Sequence, residues 1–186
     1  MMERTAEASP RPWDRLTGAV YLLYFLTAIS GEVFIGRTHL LAYDSVNLIA
    51  HAFYIALTLL FYFLFRPVNR NLSLLAALFG LLGCANDVLN LFHRAPYKIN
   101  SLVFFGPYCL LLGYLIFRSI FLPRILGVLM MFAGAGWLIF RSPFASHLST
   151  YLQVLGFLAE LSLCAWLLVM GVNVQRWKEQ AGASAK

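Results

Sequence analysis

Six apolar runs, at 16–36, 46–65, 72–92, 101–117, 125–140 and 148–172, take up most of this 186-residue chain. No other feature narrows the fold as much. A helix needs about 20 residues to cross about 30 Å of hydrocarbon, and most of the runs approach that length. None alternates polar and apolar residues with period two, as a membrane-spanning strand would. Charged residues make up 12% of the chain and hydrophobic ones 61%, where an average soluble domain is about a quarter charged. A soluble fold would have no polar coat, whereas lipid can face apolar side chains all round. The chain is expected to be all-α: a polytopic transmembrane bundle of six antiparallel helices, multi-pass in a plasma membrane.

The links are short and punctuated by proline and charge, as in Arg66-Pro67-Val68-Asn69-Arg70-Asn71 and in Arg118 to Arg124 with Pro123. Short links make consecutive helices antiparallel neighbours. The runs at 101–117 and 125–140 are short, so they either extend into their flanks or leave the bilayer locally thin. Residues 1–15 read as a cytoplasmic tail, 16–172 as one transmembrane domain and 173–186 as a second cytoplasmic tail. The tails and the second and fourth links hold ten of the fourteen Lys and Arg, which places both termini in the cytoplasm. The net charge of +6 then reflects topology and anionic lipid, not nucleic acid. Ala28-Ile29-Ser30 is a weak cleavage signature. The tail before it mixes acids with bases and the apolar segment exceeds a signal core, so the first run is expected to stay as a helix.

The informative residues are polar ones inside the runs. Glu32 stands near the outer end of the first helix. Asp44, Asn47 and His51 share a stripe on the approach to the second, Asp44 as its cap in interfacial water. The third brings Asn86, Asp87, Asn90 and His93 toward its outer end, and the sixth carries Gln153 and Glu160 seven apart. Nearly all fall in the outer half. Polar groups in a bundle turn inward, so a polar pocket open to the outer side is expected among helices 1, 2, 3 and 6. Ala76, Gly80, Gly83, Asp87 and Asn90 occupy one arc of the third helix, where small residues let a neighbour come close. Gly106 and Gly113, and Gly127 and Gly134, read as packing seams, and Gly156 lies beside Glu160.

Glu160 lies about 18 Å into its run at 1.5 Å per residue, close to the midplane. A charged acid there costs a few kcal/mol even on the lenient insertion scale. Two readings stand: a structural glutamate bonded to a neighbouring helix, or a proton or ligand relay at the pocket floor. For His51 the simpler reading is an imidazole bonded to a nearby carbonyl, beside a role in binding or proton transfer. His51, His93, Asp87, Glu32 and Glu160 are metal-ligand types, but no HExxH, HxxxH or Cys-His spacing joins them, so neither a metal nor another cofactor is expected. Cys84, Cys109 and Cys164 fall inside apolar runs and read as packing. Ser30, Ser101 and Ser162 lie in no nucleophile elbow, and no catalytic residue can be named.

Four stretches are similar to a family of bacterial membrane proteins known as domain of unknown function 4386. They are Arg15-Leu16-Thr17-Gly18 with Tyr21, RPVNRNLSLLAALF from Arg66, CLLLGYLIFRSIFLPRILGVLMMFAGAGWLI from Cys109, and GFLAELSLCAWLLVMGV from Gly156. The resemblance implies six helices in a bacterial or archaeal plasma membrane and sets Glu160 within a family motif. The chain departs from the family in a shorter segment at 93–100 and in Tyr108, where a histidine is expected before Cys109. The family carries no established activity to transfer.

The functional expectation is a non-enzymatic membrane protein. Its outward-facing polar pocket, of Glu160, Asp87, Asn90, His51, Asn47, Gln153 and Glu32, binds or passes a small ligand or a proton. Two other readings stand beside it: an intramembrane lipid-modifying enzyme, metal-assisted, and an accessory subunit whose polar face binds another membrane protein. Membrane lipids are partners in each.

Overall fold

The computed structural model describes residues 11–35, 40–92, 99–139 and 148–184. They form seven α-helices and no strand: α1 Arg11–Ser30, α2 Leu40–Phe65, α3 Arg70–Leu91, α4 Leu102–Arg118, α5 Arg124–Ile139, α6 Ser149–Val169 and α7 Val174–Ser184. A π-helical turn, Gly31–Ile35, continues α1. Four stretches are long and apolar enough to cross a membrane: Arg15–Ile35, Leu41–Phe65, Arg70–Leu91 and Thr150–Val169. Helices α4 and α5 are apolar but only 17 and 16 residues long.

The helix ends follow local chemistry. The Asn69 side chain accepts the Leu72 amide at 3.0 Å and starts α3. At the end of helix α6 the Gly171 amide donates to the Trp166 carbonyl at 3.0 Å, and the glycine's φ of 68° then turns the chain out of the helix. Asn173 then caps α7 by accepting the Arg176 amide at 3.1 Å. Residues 174–184, within the stretch read from sequence as a tail, are thus a helix. It is fastened to the bundle: Trp177 Nε1 donates to the Leu64 carbonyl at 2.9 Å, and the Gln180 side chain accepts the Ile120 amide at 3.2 Å. Asp44 lies inside α2, which begins at Leu40, so it is not the cap expected of it.

The first six helices form a closed ring. Each packs on its neighbours in chain order, and α6 returns to α1. Neighbours run antiparallel. Ser73 donates to the Tyr62 carbonyl across α2 and α3, while His51 meets Asp87 at the far end of the same pair. Outside the ring, Leu22, Leu26, Leu59, Phe63, Leu78, Phe132 and Leu158 are exposed. Apolar residues outward and polar residues inward is the arrangement a lipid solvent favours.

Glycine sets how closely the ring draws together. The two pairs on α4 and α5 face one another: a Cβ on Gly113 would lie 2.7 Å from the Gly127 carbonyl oxygen, and one on Gly134 would lie 2.7 Å from that of Gly106. The obstacle in each case is backbone, which cannot swing aside. Gly83 abuts the Phe105 ring, so the small-residue arc of α3 does receive a neighbour. Gly18 does the same for ring closure, with the Leu168 amide nitrogen 2.8 Å from where its Cβ would stand.

The two ends of the ring differ. At one end, where α2, α4 and α6 finish and α5 begins, Leu57, Phe65, Leu112, Ile116, Met130 and Leu163 are fully buried. That end is solid, and α7 lies against it. The other end holds a cavity.

The seam makes a prediction with a sign. Gly127→Ala should destabilise the bundle by about 1–3 kcal/mol, because α4 and α5 must separate. Gly182→Ala, whose added methyl meets nothing within 4 Å, should leave stability unchanged or raise it by up to about 1 kcal/mol through helix propensity. Thermal melts in detergent compare the two, and equal effects would show that the α4–α5 contact is not backbone-limited.

Candidate functional site

A cavity of about 330 Å³ opens in the interior of the ring, and every one of the six helices contributes to it. Tyr24 comes from α1, Tyr54 from α2, Asp87 from α3, Leu102 and Phe105 from α4, Trp137 from α5 and Glu160 from α6, with Asn100 and Ser101 at the entry to α4. The interior polar pocket expected on helices 1, 2, 3 and 6 is therefore wider. Helices α4 and α5 complete it.

The polar side is organised around Asp87. Ser101, at the N-terminus of α4, makes no capping bond with its side chain. Its hydroxyl instead donates to Asp87 Oδ1 and accepts from Asn86 Nδ2, the latter at 2.7 Å. Asn86 and Asn90 both donate to the Ile99 carbonyl, at 2.9 and 3.4 Å. Three polar residues of α3 thus stitch down the strand of chain that enters α4. On its other oxygen Asp87 meets His51 Nε2 at 3.3 Å. The His51 Nδ1–H donates to the Asn47 carbonyl at 2.7 Å. With that hydrogen committed, the Nε2–Oδ2 contact requires a second proton, on the ring as an ion pair or on the acid as a hydrogen bond. One proton therefore lies between His51 and Asp87 in either case. The carbonyl partner anticipated for His51 is present, and the acid is an addition to it.

Glu160 is placed differently. Its Oε2 accepts from the Tyr21 hydroxyl at 3.1 Å, across the closure of α6 on α1. Tyr21 is buried, 2% exposed, and stacks on Phe25 at 5.0 Å between centroids. Oε1 of Glu160 receives no hydrogen bond among the described residues, and no cationic side chain among them pairs with the carboxylate. One of its two oxygens is thus unengaged within the protein, in a group that lines the cavity.

The remaining wall is aromatic. Tyr54 lies edge-on to Tyr24 at 4.9 Å and to Phe105 at 5.2 Å between centroids, a continuous surface from α1 to α4. Trp137 rests on Gly156: a Cβ there would come within 2.5 Å of the indole. The glycine one turn before Glu160 therefore makes room for the ring beside the acid.

Other expected residues stand apart. Gln153 is exposed and does not line the cavity. The Asn47 amide turns back to the Tyr43 carbonyl of its own helix at 2.9 Å. Glu32 is exposed and accepts from the Tyr43 hydroxyl, tying the π-helical turn to α2. Asn90 holds the α4 entry. His93 lies outside the described residues. Tyr24, Tyr54, Phe105 and Trp137 were not singled out from sequence. The glycines that two of these rings face, Gly83 for Phe105 and Gly156 for Trp137, are visible in the sequence, but the ring that each would meet is not. Among the described residues no three His, Cys, Asp or Glu side chains gather into a metal-holding group.

The fold and cavity define a class: an all-α bundle with membrane-length helices and acids turned inward. Residues 88–171 match the family model described as Domain of unknown function (DUF4386). An uncharacterised protein of Archaeoglobus fulgidus is 32% identical over 121 residues, covering 59% of this chain and 72% of the relative. The chain belongs to the DUF4386 family. No solved structure matches it.

The two acids should respond differently to truncation. Asp87→Leu strands Ser101 and His51 and loosens α2, α3 and α4 from one another, for a loss of about 3–5 kcal/mol. Glu160→Leu strands only the Tyr21 hydroxyl, for about 1–3 kcal/mol, and Glu160→Gln should fold as wild type because its amide oxygen accepts the same bond. Denaturation in detergent gives the order, and a greater loss at Glu160 than at Asp87 would contradict it.

Proposed function

We propose that this protein spans a bacterial or archaeal plasma membrane six times, with both termini in the cytoplasm, and binds a small ligand or a proton in a cavity open to the outer face. The observation that carries this reading is the contrast between the two ends of the ring. One end presents two carboxylates to a cavity of about 330 Å³, and the other is filled by Leu57, Phe65, Leu112, Ile116, Met130 and Leu163. Interior acids in a membrane bundle mark sites that meet a solute, an ion or water. A cavity stopped by a packed core supports binding over free passage. The basic residues support the orientation, since Arg66, Arg118, Arg124 and Arg176 lie at the solid end. The lipid-modifying enzyme and the accessory subunit have no comparable observation behind them.

Single cysteines test both orientation and access. Asn100→Cys lies on the cavity rim and Ala183→Cys on α7. In intact cells an impermeant maleimide added outside should label the first fully and the second only after permeabilisation. Tyr24→Cys, inside the cavity, should react with a small methanethiosulfonate reagent from the same outer side. Labelling of Ala183→Cys from outside would reverse the topology, and an inert Tyr24→Cys would close the cavity.

A further inference from the structure

Deepening the binding reading above, we propose that the cavity takes an organic cation, an alkylammonium group, with Glu160 as its counter-ion and Tyr24, Tyr54, Phe105 and Trp137 as its walls. The argument begins with charge. An acid in the interior of a membrane bundle must be matched by a positive charge, a proton or a set of hydrogen bonds. Asp87 has its match inside the protein, in Ser101 and His51. Among the described residues Glu160 has one neutral donor, Tyr21, and an oxygen without a partner. No lysine or arginine among the described residues lines the cavity. Among the described residues the positive member of the pair is lacking, and a ligand can supply it.

The walls select the kind of cation. Four of the nine lining residues are aromatic, and the faces of such rings attract a soft, weakly hydrated ammonium far better than a metal ion, which needs a cage of oxygens. A bare proton would need neither the volume nor the rings. A neutral apolar ligand would fill the volume but would bury Glu160 without compensation. An alkylammonium satisfies both parts of the surface: methyl or methylene groups against the rings, positive charge toward the carboxylate. The cavity is also of the size that encloses a small organic molecule, at the lower end of the usual range of about 300–1,000 Å³. The same chemistry occurs on a free amine and on a lipid headgroup.

The full-length protein in nanodiscs of phosphatidylglycerol, a lipid without an ammonium group, provides the test. Choline is titrated by calorimetry against its uncharged carbon isostere, 3,3-dimethylbutan-1-ol. Choline should bind at least about tenfold more tightly than the isostere. Glu160→Gln should weaken choline by about tenfold or more and leave the isostere unchanged. Should that variant fail to fold, Tyr24→Phe and Tyr24→Leu serve instead, the first keeping choline binding and the second weakening it severalfold. Competition by dihexanoylphosphatidylcholine would assign the group to a headgroup, and indifference to that lipid to a free solute. Equal binding of choline and isostere would overturn the cation and leave the cavity reading standing. So would no binding of either while Tyr24→Cys still labels. Absence of both binding and labelling would bring down the cavity reading itself.

Discussion

The contact of α1 with α6 is the constraint on which everything else rests. Five of the six ring contacts join helices that are consecutive in the chain, and short links would bring those together in almost any helical bundle. The sixth is not local. It joins Tyr21 to Glu160 over a separation of 139 residues, and it is made possible by Gly18, whose missing side chain admits the backbone of α6. Cys164 completes the contact, its thiol 3.7 Å from the Gly18 carbonyl. With this contact the six helices enclose a space. Without it they would form a curved sheet of helices, and the acids of α3 and α6 would lie on an open concave face.

The asymmetry of the ring has a plain origin in side-chain volume. Toward one end the inward positions are leucine, isoleucine, phenylalanine and methionine, which interdigitate and leave no room. Toward the other they are carboxylates and large flat rings. Rings that meet edge-on, as Tyr54 does with Tyr24 and Phe105, brace one another without filling the axis. The tight α4–α5 seam works in the same direction. It draws two short helices together as a unit, so that Phe105 and Trp137 reach the interior from helices that are only 17 and 16 residues long.

Much of this was legible in the amino-acid sequence, and the remainder was not for physical reasons. The all-α class and the interior position of polar residues follow from composition and from the insertion cost of a charge, which are properties of single residues in a solvent. Gly83, Gly106, Gly113, Gly127, Gly134 and Gly156 were legible as close approaches because glycine has no competing reason to recur in a membrane helix at such spacing. Which neighbour would approach was not legible, since that depends on the order of helices around the ring. For the same reason the sequence does not single out Tyr21 as the partner of Glu160, and it shows that Ser101 lies in no nucleophile elbow without showing that its hydroxyl is committed to Asp87. Gln153 shares a helix face with Glu160 by spacing, yet it is exposed while Glu160 lines the cavity. The helix of 174–184 was hidden by its polarity: a short amphipathic segment looks like a tail until its tryptophan is seen to reach the end of α2.

Closure through the first and last helices of the ring also governs when the cavity can come into being. A ribosome delivers α1 long before α6, so Tyr21 and the groove at Gly18 enter the membrane with no partner and must wait through the synthesis of four helices. During that interval the nascent bundle is an incomplete arc, and the interior it will enclose stands open on one side. Arrival of Glu160 ends the wait, and α7, emerging after α6, fastens down the solid end once the ring is shut.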